Sequence, residues 1–277
     1  MPSGEHFQLT LLPGARTLLE AHALALPQKD DLCGAFCGAL ALNAAGIAQH
    51  DGQPLDQDAV ALAAGSVVSR VPDIGILPAG ERGRRDYRLE MDLIDDGARS
   101  GTTAAGVVAA IERLSGQALA AIPLSGPWTA TTLDGLFEAA AGLARPVSLL
   151  ANLATGYLWG GRPTATQLLA NLLDGALAGP APDWKVGHFA CIVGRVQGPQ
   201  GSLYILADTY PALGRRGVHL QPHELLAAAI ERREAPAGGV IVAALGDDAP
   251  AIRAAAARLR LREGLWDNGT VGPRELA

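Results

Sequence analysis

Apolar side chains recur at helical spacing over residues 14–26, at Leu18, Leu19, Ala23 and Leu26, and Pro27 closes the run. From Leu32 to Ala45 the chain is apolar nearly all round, the pattern of a helix in the middle of a domain. Asp30 and Asp31 precede it where acidic N-caps belong, so Cys33 falls at a helix start. Helical patterns follow over 56–68, 103–114, 132–144 and 164–177, with an Arg- and Gly-rich exposed loop expected at 72–90. Residues 119–124 and 146–153 read as strands within this helical half. After the 179–183 loop the period changes. Residues 185–196 and 203–208 are short β-rich runs either side of Gly198-Pro-Gln-Gly201, the pattern of an antiparallel hairpin. Residues 218–220 and 240–245 add strands, 222–230 a helix and 251–262 a terminal amphipathic helix. Helices first and antiparallel strands afterwards predict one α+β domain, with the helix of Cys33 packed on a C-terminal sheet.

Composition narrows the partners. Of 277 residues, 49% are hydrophobic and 18% charged, enough to close a core without help. The formal charge of −6 lacks the basic footprint of a nucleic-acid coat. No apolar run reaches the ~18 residues of a membrane span, and residues 1–10 lack the basic start of a signal peptide. Three cysteines, Cys33, Cys37 and Cys191, suit a reducing compartment better than a disulfide framework. Two lysines against twenty arginines, with abundant alanine, fit a GC-rich bacterial coding bias. The expectation is a bacterial, cytoplasmic protein with no membrane span.

The candidate chemistry centres on Cys33. A helix N-terminus and a nearby imidazolium both favour a thiolate. His188 lies on the first hairpin strand and Asp208 ends the second, so pairing lets the carboxylate orient the imidazole. Gln28 stands five positions before Cys33, placed to donate to an oxyanion together with the Cys33 N–H. Cys37, one turn on, reads as core. Cys33, Cys37, His188 and Cys191 are zinc-type ligands, but a regular strand turns His188 and Cys191 to opposite faces. No metal and no cofactor is expected. Trp184 reads either as a flank of the site or as a loop side chain over the core. His219 and His223 read as surface groups, and the arginines of 82–88 as a solvated loop.

These residues resemble a family. Gln28…Cys33-Gly-Ala-Phe-Cys37 is similar to the active-site start of the bacteriocin-processing peptidases that remove double-glycine leaders, a papain-like cysteine peptidase group. Gly187-His188-Phe189 is similar to the His strand of that group, and Asp208-Thr-Tyr-Pro211 to its Asp-Pro turn. The resemblance spans roughly residues 26–230. It implies a papain-like fold and a thiol protease with Cys33, His188, Asp208 and Gln28 as catalytic residues. The implied substrate is a peptide or protein, including a precursor peptide undergoing maturation. It also implies an insertion within 47–180 and a C-terminal extension over 231–277. Two other functions fit the same residues: an acyltransferase or amide-bond-forming enzyme on the Cys-His-Asp site, and an inactive peptide-binding module.

Overall fold

A computed structural model describes residues 6–72, 77–182, 184–232 and 238–271. Eight helices and twelve strands occur among them. The first half holds β1 (Gln8–Leu11), α1 (Ala15–Ala25), α2 (Cys33–Ala44), β2 (Gln49–His50), β3 (Gln53–Pro54), α3 (Gln57–Ala64), β4 (Val67–Ser69), β5 (Asp92–Ile94), α4 (Ala104–Leu114), β6 (Leu119–Ser125) and α5 (Ala130–Ala141). The second holds β7 (Val147–Ala154), α6 (Ala165–Asp174), β8 (Gly187–Gln197), β9 (Ser202–Ala207), β10 (Val218–Pro222), α7 (His223–Glu231), β11 (Gly239–Leu245), α8 (Ala249–Arg258) and β12 (Arg262–Glu263).

One antiparallel sheet of eight strands organises the molecule, in the order β10-β9-β8-β7-β11-β6-β12. The strand β1 pairs with residues 194–197 of β8, beyond the stretch 187–192 that pairs with β7. Helices α1 to α4 pack together and reach β6, β7, β8 and β11, whereas α5, α7 and α8 form a second group against the sheet. Both β7 and β11 are buried at nearly every position, as strands covered on both faces must be. The fold is therefore α+β with a large antiparallel sheet. No helix among the described residues is long and apolar enough to cross a membrane.

The expected hairpin forms: β8 and β9 are antiparallel neighbours, with a bulge between Ile192 and Gly194. The two regions expected as an insertion and an extension supply β6, β7, β11 and β12, and β11 lies between β7 and β6. Some boundaries differ from the pattern. The third helix stops at Ala64 because Gly65 enters the left-handed region at φ 64°, and Val67–Ser69 turns into a strand. The last helix stops at Arg258, leaving residues 262–263 to pair with β6.

Asp30 and Asp31 do not cap α2. Its N-cap is Leu32, without a side-chain hydrogen bond. Asp30 Oδ1 accepts the Arg84 N–H at 2.8 Å and Asp31 Oδ2 accepts the Ser69 N–H at 2.8 Å. The carboxylates thus fasten Ser69 and Arg84 beside the start of α2, a long-range use that local pattern does not encode. The loop at 72–90, whose residues 73–76 lie outside the described residues, is coil but well anchored. Lys29 Nζ reaches Asp58 Oδ2 at 2.5 Å and the Asp86 carbonyl at 2.7 Å. Arg84 donates to the Pro27 carbonyl, and Arg88 pairs with Asp56.

Candidate active site

The helix α2 begins at Cys33 because the chain before it is held in place. The Gln28 N–H donates to the Thr209 carbonyl at 2.9 Å, and Lys29 is pinned by Gln57 and Asp58. Cys33 is half-buried at the first helical position, where backbone N–H groups have no partner within the helix. Gly34 lets this end approach β8, with the Phe189 ring against it.

His188 occupies the second position of β8 and is buried. Its Nε2 lies 2.8 Å from Asp208 Oδ1, and the Cys33 sulfur is near enough to favour the charged ring. With Nε2 committed to the carboxylate, the opposite nitrogen, Nδ1, is the one left for sulfur. Trp184 packs edge-on at 4.8 Å between ring centroids, and Tyr210 stacks at 6.5 Å and 23°. Trp184 therefore flanks the site. Asn152 fixes the strand from the other side. Trp266 Nε1, a donor only, gives to Asn152 Oδ1, so the Asn152 amide nitrogen donates to the His188 carbonyl.

The electrostatics favour a charged ring. Burial opposes the imidazolium, but the Asp208 charge, its hydrogen bond and the Cys33 sulfur outweigh burial and hold His188 up at about 10. Burial likewise opposes the Asp208 carboxylate. The His188 charge and hydrogen bonds from His188 and His219 outweigh it, and the carboxyl sits well below its ordinary range. Burial pushes the Cys37 thiol well up, aided by its contact with Cys191, so Cys37 stays protonated inside the core.

Cys33, His188 and Gln28 open onto one cleft of about 660 Å³, shared with Asn152, Trp184 and Tyr210. Gln28 is buried, and its Oε1 has no hydrogen-bond partner among the described residues. Three of the four residues singled out in the sequence thus line one cleft, and Asp208 lies behind the imidazole. Among the described residues no group of three or more His, Cys, Asp or Glu side chains is arranged to hold a metal ion.

A model described as a family of unknown function (DUF6885) matches residues 12–267. The chain belongs to that family. No curated protein matches it in sequence.

In this DUF6885 chain two histidines expected at the surface are not there. His219 Nε2 lies 3.0 Å from Asp208 Oδ2, with the side chain largely buried. His223 Nδ1 lies 2.9 Å from Asp134 Oδ2, an ion pair that raises its basicity against the opposing effect of burial. A third imidazole, His22 on α1, puts Nε2 2.5 Å from the Asp208 carbonyl, and burial lowers its pKa. No local pattern marks His219 for this place, which strand register sets. The β9–β10 turn brings Gly217 opposite Asp208, and His219 lies two residues along the same strand.

Proposed function

We propose that this chain is a cysteine-dependent acyl hydrolase, a peptidase of papain-like type, acting on a peptide or protein substrate. The observation that carries the reading is that Cys33 and His188 line one cleft with Gln28, while Asp208 holds the imidazole from behind at 2.8 Å. A half-buried thiol at a helix start, beside an imidazole that favours its charged form, is the environment of an activated nucleophile.

In the reaction Cys33 attacks the substrate carbonyl carbon as a thiolate, its proton already held by the His188 imidazolium. The carbonyl oxygen becomes an oxyanion, held by the Cys33 N–H and the Gln28 amide nitrogen. Collapse breaks the C–N bond, and the leaving amine takes the proton from His188. Water then attacks the thioester, giving its proton to His188, and collapse releases the carboxylic acid and restores the Cys33 thiolate beside the His188 imidazolium. Asp208 stays ionised and keeps the imidazolium oriented. A reducing compartment would suit this chemistry, because it keeps a nucleophilic thiol such as Cys33 free.

The test is a peptide library assayed by mass spectrometry, with an electrophilic thiol probe in parallel. The expected result is new peptide termini from the wild type, none from Cys33→Ala, and probe labelling at Cys33. Cleavage by Cys33→Ala equal to that of the wild type would overturn the proposal. An added amine acceptor distinguishes hydrolysis from transfer, because a transferase returns the amide instead of the acid.

A further inference from the structure

Asp208 receives more hydrogen bonds than the orientation of one imidazole requires. Oδ1 accepts from His188 Nε2 and from the Thr209 N–H at 2.7 Å, while Oδ2 faces His219 Nε2 at 3.0 Å. The titratable groups that meet this aspartate are His22 from α1, His188 from β8 and His219 from β10.

The proton on His219 can be placed by following donors. The Trp159 backbone N–H only donates, and it lies 2.8 Å from Gln221 Oε1, so that atom is the amide oxygen. Gln221 Nε2 then donates to the Trp159 carbonyl at 3.0 Å and to His219 Nδ1 at 3.0 Å. A ring nitrogen that accepts carries no proton, so His219 offers Nε2–H to Asp208. Gln221 is buried and does not titrate, and its clamp on Trp159 is backbone.

We propose that His219, locked in its Nε2–H form by Gln221, is a positioning residue that fixes the Asp208 carboxylate for His188. The proposal rests on reading Cys33 and His188 as nucleophile and base. An uncharged donor suits this place better than a second imidazolium. It stops rotation of the carboxylate while leaving the negative charge of Asp208 to His188 alone, whereas a charged His219 would repel the proton that His188 must hold.

Two measurements on the full chain test the proposal. Long-range proton–nitrogen correlation spectra of the six labelled histidines at neutral pH should show His219 protonated at Nε2 and bare at Nδ1. An imidazolium or the opposite tautomer overturns it. The second is the pH profile of Cys33 alkylation by iodoacetamide in His219→Leu and His219→Gln. Loss of a hydrogen bond to a charged group predicts a fall of about tenfold or more for His219→Leu at neutral pH. His219→Gln, which keeps an N–H near the same place, should stay within about threefold of the wild type. Equal rates in the two variants overturn the positioning role. Wild-type Cys33 reacting with the profile of a free thiol overturns the Cys-His reading itself, and this role with it.

Discussion

Gly34 and Phe189 meet so closely that a Cβ on Gly34 would sit 3.2 Å from the Phe189 ring, 3.0 Å from Thr102 Cβ and 3.1 Å from Val107 Cγ2. This contact seats the first turn of α2 against β8, the strand that bears His188. Gly34→Ala should therefore cost about 1–3 kcal/mol from overpacking and also widen the Cys33–His188 approach. Urea unfolding and Cys33 alkylation kinetics together check it, both falling in the variant. Unchanged alkylation would mean that the turn moves without opening the pair.

The two cysteines of α2 separate chemistry from packing. Cys33→Ala should abolish turnover with little change in melting temperature, because a half-buried thiol at a helix start contributes little packing. Cys37 is fully buried, so Cys37→Ala should keep most activity and lose about 1 kcal/mol of stability. A dead Cys37→Ala beside an active Cys33→Ala would move the nucleophile by one turn.

The His188–Asp208 pair makes stability depend on pH in a definite window. The folded His188 titrates at about 10 against an ordinary 6.5, so its contribution is complete below about 6.5 and is lost as pH rises through 10. The folded Asp208 is shifted the other way from 3.8, so its contribution is present above 3.8 and is lost as pH falls through the lower folded value. Asp208→Asn should thus lose most stability, relative to wild type, between about pH 4 and 6.5, with the gap closing towards pH 10. Denaturation midpoints across pH measure the gap. The same variant should lose about a hundredfold or more in turnover, and its alkaline limb should move down towards an ordinary imidazole value.

Lys29 holds the loop that walls the cleft. Asp58 is fully buried, and beyond Lys29 it accepts only the Arg88 N–H among the described residues, while its Oδ1 is unpartnered. Lys29→Met leaves that carboxylate without its countercharge and should cost about 3–5 kcal/mol. The Lys29→Met, Asp58→Leu double variant should recover much of the loss, since removing both partners spares the buried charge. Chemical unfolding of the three variants measures the coupling.

What the sequence made legible follows the range of the interactions involved. The α2 helix and the β8–β9 hairpin were readable because period and turn residues are local, and Cys33, His188 and Asp208 follow from their positions on those elements. The roles of Asp30, Asp31 and His219 were not, since each depends on a partner set by tertiary register: Arg84, Ser69 and Asp208. Residues 240–245 were readable as a strand, but nothing local puts them between β6 and β7.

That central place of β11 bears on how the protein is born. A ribosome delivers β6 and β7 long before β11, yet these two strands touch β11 and not each other. Until the chain past Leu245 has emerged, both expose an unpaired edge, the kind of surface that chaperones cover and that recruits stray strands. The strand bearing His188 leans on β7, whose far edge stays open until β11 arrives. A nascent chain would then carry its thiol and imidazole on a sheet that still lacks a central strand.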